Sequence, residues 1–179
     1  RTIASTDQTG LTTTQQHHPR HQITTLPGGA TRIAATYLDG RQKSLTGTGV
    51  VHQYHNHGLD AESGQIWSQS TAAKAVGPRY QRSYTNFLGQ SVKTERPGFG
   101  EGNLIITKPL YDQAGPNYGS QSFVVDDDGN ETQIGSTNLT SFDDLGRAEF
   151  SGQDIDGNGQ LDAASMDRLS KTETRYRKI

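Results

Sequence analysis

The chain is punctuated too often to build long helices. Short segments alternate polar with apolar or β-branched residues and then stop at Gly, Asn or Asp. Alternation puts every second side chain on one face of an extended strand, whereas a helix needs apolar residues recurring three and four positions apart. Short strands are expected at Arg32 to Tyr37, Val50 to Tyr54, Gln65 to Ser70, Ser91 to Glu95, Leu104 to Thr107, Ser122 to Val125 and Lys171 to Tyr176. Between them, Asp39-Gly40, Asp128-Gly129-Asn130 and Leu145-Gly146-Arg147 carry hairpin chemistry, because Gly and Asn accept positive φ at little cost. A single helical turn is expected, at Ala163 to Leu169. The fold class is therefore all-β, an antiparallel β-hairpin meander.

Composition limits what such a meander can bury. The 179 residues suit one domain, but only 30% are hydrophobic and 21 are glycine. Mean hydropathy is −0.79. A folded chain of this kind buries a thin core on a sheet face or relies on neighbouring segments to complete it. Disorder is opposed by the small net charge of −2 and by the scattered β-branched and aromatic residues. There is no cysteine, so disulfides and thiolate metal sites are excluded. No apolar run is long enough for a membrane span. Dispersed basic residues and a pI near 6.3 argue against a nucleic-acid partner. The chain opens at Arg1 on a polar Ser/Thr/Gln stretch, which reads as an internal piece of a longer polypeptide with any export signal upstream.

A degenerate repeat runs through the chain. Tyr111-Asp112-Gln113-Ala114-Gly115 has the form aromatic, Asp, two residues, Gly, and Phe142-Asp143-Asp144-Leu145-Gly146-Arg147 repeats it with a basic residue added. Val125-Asp126-Asp127-Asp128-Gly129-Asn130 and Asn86-Phe87-Leu88-Gly89-Gln90 are weaker copies. Asp60 to Gln65 reads as a copy with one residue inserted, and Tyr37-Leu38-Asp39-Gly40-Arg41 as one with a residue removed. In such a unit the aromatic ends a strand, Asp accepts backbone N–H groups across the turn, and Gly supplies the left-handed residue. One unit cannot bury its own apolar face, so neighbours must stack.

These residues resemble the Rhs/YD-repeat family, whose signature is Tyr-Asp followed shortly by Gly and then Arg or Asn. Three longer stretches carry the resemblance further: Ala35 to Thr48, Phe87 to Gly98, and Asp154 to Arg168 with Thr172 to Tyr176. The likeness covers residues 31–179 as a YD-repeat-like β-sheet region, with residues 1–30 as irregular or partly ordered lead-in strands. It implies a bacterial, secreted or cell-surface protein whose antiparallel sheets spiral into a hollow shell around a C-terminal domain, with related repeats in teneurins. The implied partners are neighbouring repeats of the same parent polypeptide, an enclosed C-terminal domain, or a cell-surface glycan or protein. The family's self-cleaving aspartates have no counterpart here, so neither a toxin nor an autoprotease is assigned.

The sharpest local motif is Asp154-Ile155-Asp156-Gly157-Asn158-Gly159-Gln160-Leu161-Asp162. Set against an EF-hand loop, Asp154, Asp156 and Asn158 take positions 1, 3 and 5, and Gly159 the tight-turn position 6. Gln160 offers its backbone carbonyl from position 7 and Asp162 its side chain from position 9, a set of oxygens suited to Ca²⁺. Ser165 stands where the bidentate Glu of position 12 belongs, and Asp167 is the substitute if the exit is a short helical turn. The alternative is a metal-free turn rich in Asx and Gly.

Other groups read more simply. His55 and His57 share a strand face and could pair on a transition metal, but no carboxylate partner is placed beside them. Asp126 to Asp128 and Asp143-Asp144 could pose as a glycosidase pair, yet their turn positions already explain them. Gly98-Phe99-Gly100-Glu101-Gly102 lacks the Lys-Ser/Thr of a phosphate loop. Trp67, Tyr80, Tyr84 and Phe87 read as core rather than as an exposed sugar-stacking strip. The expected function is thus structural and non-catalytic, with a Ca²⁺-stabilised glycan- or partner-binding β module as the alternative.

Overall fold

The computed structural model describes residues 1–73, 79–100, 102–112 and 115–171. Among them all regular structure is β: fifteen antiparallel strands and no helix. Two compact units divide the chain, Arg1–Phe87 and Leu88–Ile179.

The first unit holds β1 (Thr2–Thr6), β2 (Thr12–His17), β3 (His21–Thr25), β4 (Thr31–Thr36), β5 (Gln42–Thr46), β6 (Gln53–Leu59), β7 (Ile66–Ala72) and β8 (Tyr80–Thr85). Each strand pairs antiparallel with the next. The second unit holds β9 (Ser91–Pro97), β10 (Leu104–Tyr111), β11 (Asn117–Val125), β12 (Glu131–Gln133), β13 (Thr137–Phe142), β14 (Ala148–Asp154) and β15 (Arg168–Lys171). The pairing again follows the chain, except that β11 shares one edge between two partners. Its C-terminal end takes β12, while Gly119 and Ser120 take β13.

One turn recurs, and it explains the repeat. At Asp126 the backbone N–H donates to Asn130 O at 3.2 Å, and the Gly129 N–H donates back to Asp126 O at 3.0 Å. The same two bonds close the turns that begin at Asp7, Leu26, Tyr37, Asp112 and Asp143. The fourth residue of each is a glycine at positive φ, 84° at Gly129. This is a tight turn ending in a left-handed bulge residue, and ladder registers slip beside it at Ala35/Thr36 and Ser141/Phe142. Where the first residue is Asp7, Asp126 or Asp143, its Oδ1 also accepts the N–H groups two and four residues on, at 2.8–3.1 Å.

Two variants of the turn behave differently. The Asp60 turn does carry one extra residue: Gly64 N–H donates to Asp60 O, and Asp60 N–H reaches Gln65 O. The Tyr37 turn has lost nothing. It starts at Tyr37 itself, so Asp39 falls at the third position and binds Arg41 instead.

The core is thin and lies on both faces. Adjacent residues of a strand point to opposite sides, yet Ile105 and Ile106 are both buried. The register aligns Ile106 with Glu95 and Phe123, and Leu139 with Gly119 and Gly152. Glu95 is buried beside Lys93, whose Nζ lies 3.5 Å from its carboxylate. In the first unit Trp67 covers its cross-strand partner Gly58. The Arg82 guanidinium stacks 4.9 Å from the Trp67 ring centre and bonds to Gln69 and the Tyr84 hydroxyl. Tyr84 is buried, so Trp67, Tyr80 and Tyr84 form a packed face, and Phe87 stands apart, exposed.

Several strand expectations shift. Val50 to Tyr54 is not one strand, because β6 begins only at Gln53. Thr48 and Thr31 exchange N–H to hydroxyl bonds, and Gly49 N–H binds Thr31 O, so the preceding turn is held against β4. Ala163 to Leu169 contains no helical turn: Leu169 lies in β15, opposite Gly152. Of the expected strand Lys171 to Tyr176, only Lys171 falls within the described residues. Residues 1–30 carry β1, β2 and β3.

Candidate cation-binding loop

The loop grows from the end of β14. The ladder sets Asp154 opposite Thr137 and buries it to 3% exposure. A buried carboxylate must be satisfied, and the loop folds around this one. Asp154 Oδ1 accepts the N–H groups of Gly157 (2.7 Å) and Asn158 (3.2 Å), and Oδ2 accepts that of Gly159 (2.9 Å). Two glycines at positive φ, Gly157 and Gly159, allow the backbone to curl that tightly.

The later residues link into a chain. Asn158 Nδ2 donates to Asp156 Oδ2 and to Asp162 Oδ2, while its Oδ1 accepts the Gln160 N–H at 2.8 Å. Asp167 closes the loop from the far end, accepting the N–H of Ile155 at 2.8 Å and of Asp162 at 3.1 Å. Ser165 fixes that exit, since its Oγ accepts the Asp167 N–H and donates to Asp162 O.

Asp154, Asp156 and Asp167 each present an oxygen within 4.8 Å of the others, the one such acidic or histidine group found among the described residues. This group could hold a metal ion. Its electrostatics favour one. The Asn158 N–H draws the Asp156 carboxyl down, but lost solvation and the charges of Asp167 and Asp154 outweigh it and leave Asp156 above its ordinary value. Asp167 is held below its ordinary value, first by the Ile155 N–H and then by Asp162 and Ser165.

Of the residues expected from the sequence, Asp154 and Asp156 belong to the acidic group. Asn158 and Asp162 sit beside it, joined through the Asn158 amide. Gln160 enters through its N–H, and with Gly159 and Leu161 it walls a cleft of about 270 Å³ against Tyr118, Leu139, Thr140 and Ser141. The closing carboxylate is Asp167, reached through a turn and not a helix. Its signal in the sequence is an acid two residues past the expected position.

The other candidates fall into structural places. Asp126 and Asp143 cap their turns, and both carboxyls lie below the usual range, held first by the Asn130 amide and the Arg147 guanidinium respectively. His55 and His57 lie on β6 with both Nε2 atoms enclosed and without a hydrogen-bond partner. Gly98 N–H binds Asn103 O across a hairpin turn, and Glu101 lies outside the described residues.

No protein-family model and no curated protein matches the chain. The chemistry of the loop is therefore read from its own atoms. Oxygen donors alone, carrying three carboxylates, suit a hard cation. The loop starts on the last residue of β14 and ends on the residue before β15, and those two strands pair. An ion bound there ties the two ends of a loop across one ladder.

Proposed function

We propose that the chain is a structural segment of an extracellular YD-repeat β-wall, serving to enclose or display other parts of its parent polypeptide, and without catalysis of its own. What carries the reading is the recurrence of one glycine-ended turn between strands that pair in chain order. A wall made of such units gains strength by stacking neighbours, and its thin core fits that role. Among the described residues β1 is paired along one edge only, with β2, which leaves a ladder free for an adjoining repeat.

The cation of the Asp154 to Asp167 loop is Ca²⁺ in this proposal, acting as a staple and not as a reagent. Donor type supports Ca²⁺ over a transition metal, because no nitrogen or sulfur ligand is in the group.

Electron microscopy of the parent polypeptide tests the wall. The reading expects β1 to be hydrogen-bonded on its outer edge to a strand of the preceding repeat. A sheet capped at β1, or a closed sandwich formed by this chain alone, would overturn it.

A further inference from the structure

We propose that Asn158 is a site of self-modification: the Gly159 nitrogen displaces its side-chain amide, and the product adds a carboxylate to the acidic loop. Of the seven asparagines in the chain, only Asn158 is followed by glycine. Both residues are exposed, and nothing stands within 4 Å of the point where a Gly159 Cβ would lie. The Gly159 nitrogen therefore has no side chain beside it to hinder approach to the Asn158 amide carbon.

The loop sets the reacting groups in order. Asn158 Oδ1 accepts the Gln160 N–H at 2.8 Å, which polarises the amide carbonyl and stabilises the oxyanion formed on attack. Gly159 N–H donates to Asp154 Oδ2 at 2.9 Å, and this buried carboxylate draws the proton away from the attacking nitrogen. Asn158 Nδ2, the leaving nitrogen, donates to Asp156 Oδ2 at 3.1 Å and to Asp162 Oδ2 at 3.3 Å. The bond from Gly159 N to Asn158 Cγ forms, the Cγ–Nδ2 bond breaks, and the proton lost from Gly159 N leaves with the amine as ammonia. Water then opens the cyclic imide, at Cγ to give aspartate or at the backbone carbonyl to give isoaspartate.

Either product changes the loop. The two bonds donated by Nδ2 are lost, and a carboxylate takes its place beside Asp156 and Asp162. It joins the three acids whose oxygens already lie within 4.8 Å of one another. Cation affinity in loops of this kind is tuned by the number of charged ligands, so aspartate at position 158 strengthens the site. Isoaspartate lengthens the backbone by one carbon and breaks the ligand spacing. This consequence rests on the cation reading of the loop; the conversion itself does not.

Ageing the 179-residue chain at neutral pH in EGTA, with mass spectrometry of the tryptic peptide Ala148–Arg168, tests the conversion. That peptide should gain the mass difference between amide and acid, while the peptide holding Asn130 and Asn138 stays unchanged. The gain should be about tenfold faster in the folded chain than in urea, where Asp154 and Gln160 are no longer in place. Asp154→Asn should slow it to a similar degree, and the urea comparison decides the matter if that variant does not fold. No gain in the folded chain, or a gain no faster there than in urea, would overturn the modification. Calorimetric titration of Asn158→Asp with Ca²⁺ tests the consequence, with binding about tenfold tighter than in the unaged parent chain. Equal or weaker binding by that variant overturns the consequence. A chain that converts but binds no Ca²⁺ overturns the cation reading, whereas one that binds Ca²⁺ without converting overturns the modification alone.

Discussion

Asp167 Oδ1 accepts the Ile155 N–H at 2.8 Å, and this bond joins the exit of the acidic loop to its entrance. It brings a third carboxylate to Asp154 and Asp156. The loop therefore stores like-charge repulsion that a cation would relieve.

The first prediction follows from Asp156. A carboxyl raised in the folded state contributes stability below its ordinary pKa of 3.8, and that stability is lost as pH rises through the folded value. At neutral pH without divalent cations, Asp156→Asn should raise Tm. In excess Ca²⁺ the same variant should melt below the parent chain, because a ligand is gone. Thermal melts in EGTA and in Ca²⁺ check the reversal of sign.

Acid should undo the turns. Asp7, Asp39, Asp126, Asp143 and Asp167 are all held below 3.8, led respectively by the Thr9 hydroxyl, the Arg41 guanidinium, the Asn130 amide, the Arg147 guanidinium and the Ile155 N–H. Depressed carboxyls contribute stability that is full above the ordinary value and lost as pH falls through the folded ones. Unfolding followed by circular dichroism should begin below about pH 4. Asp126→Asn with Asp143→Asn should flatten that dependence.

Two glycines should fail for different reasons. Gly129 sits at φ 84° with nothing near a Cβ, so Gly129→Ala should cost about 1–2 kcal/mol through the backbone alone. Gly152 is in the middle of β14, and a Cβ there would collide with Arg168 O. Gly152→Ala should cost about 3 kcal/mol, the upper end for overpacking, since a ladder must shift. Urea titrations of both variants measure the difference.

Leu139 should be the costliest single truncation in the second unit. It is 6% exposed and is flanked across the ladders by Gly119 and Gly152, which have no side chains to collapse into a gap. Leu139→Ala is expected to lose about 3 kcal/mol, readable as a lower urea midpoint.

The sequence made some of this legible and hid the rest. Ser91, Leu104 and Ser122 lie in the strands expected of them, because alternation and β-branching act locally. β1 and β2 are built from Thr, Ser, Ala, Gln and His with Ile3 as their one large apolar residue, so no apolar alternation announced them. Their order comes from ladder bonds, which any side chain permits. The start of β6 was hidden because it depends on Thr31 and Thr48, which are far apart in the chain. In the acidic loop Asp154 and Asp156 follow from spacing, and Asp167 from standing two residues past the expected closing ligand. The sequence put Asp167 on a helical turn, whereas a turn held by the Ser165 hydroxyl brings it in.

The strand pairings within each unit join near neighbours in the chain, and this has a kinetic meaning. Closing any one hairpin costs only the entropy of a short loop, so no distant contact has to be found first. Each unit can zip up from whichever end is delivered first, as when a chain is threaded through a narrow channel. Pulled from an end, it should peel one strand at a time at low force.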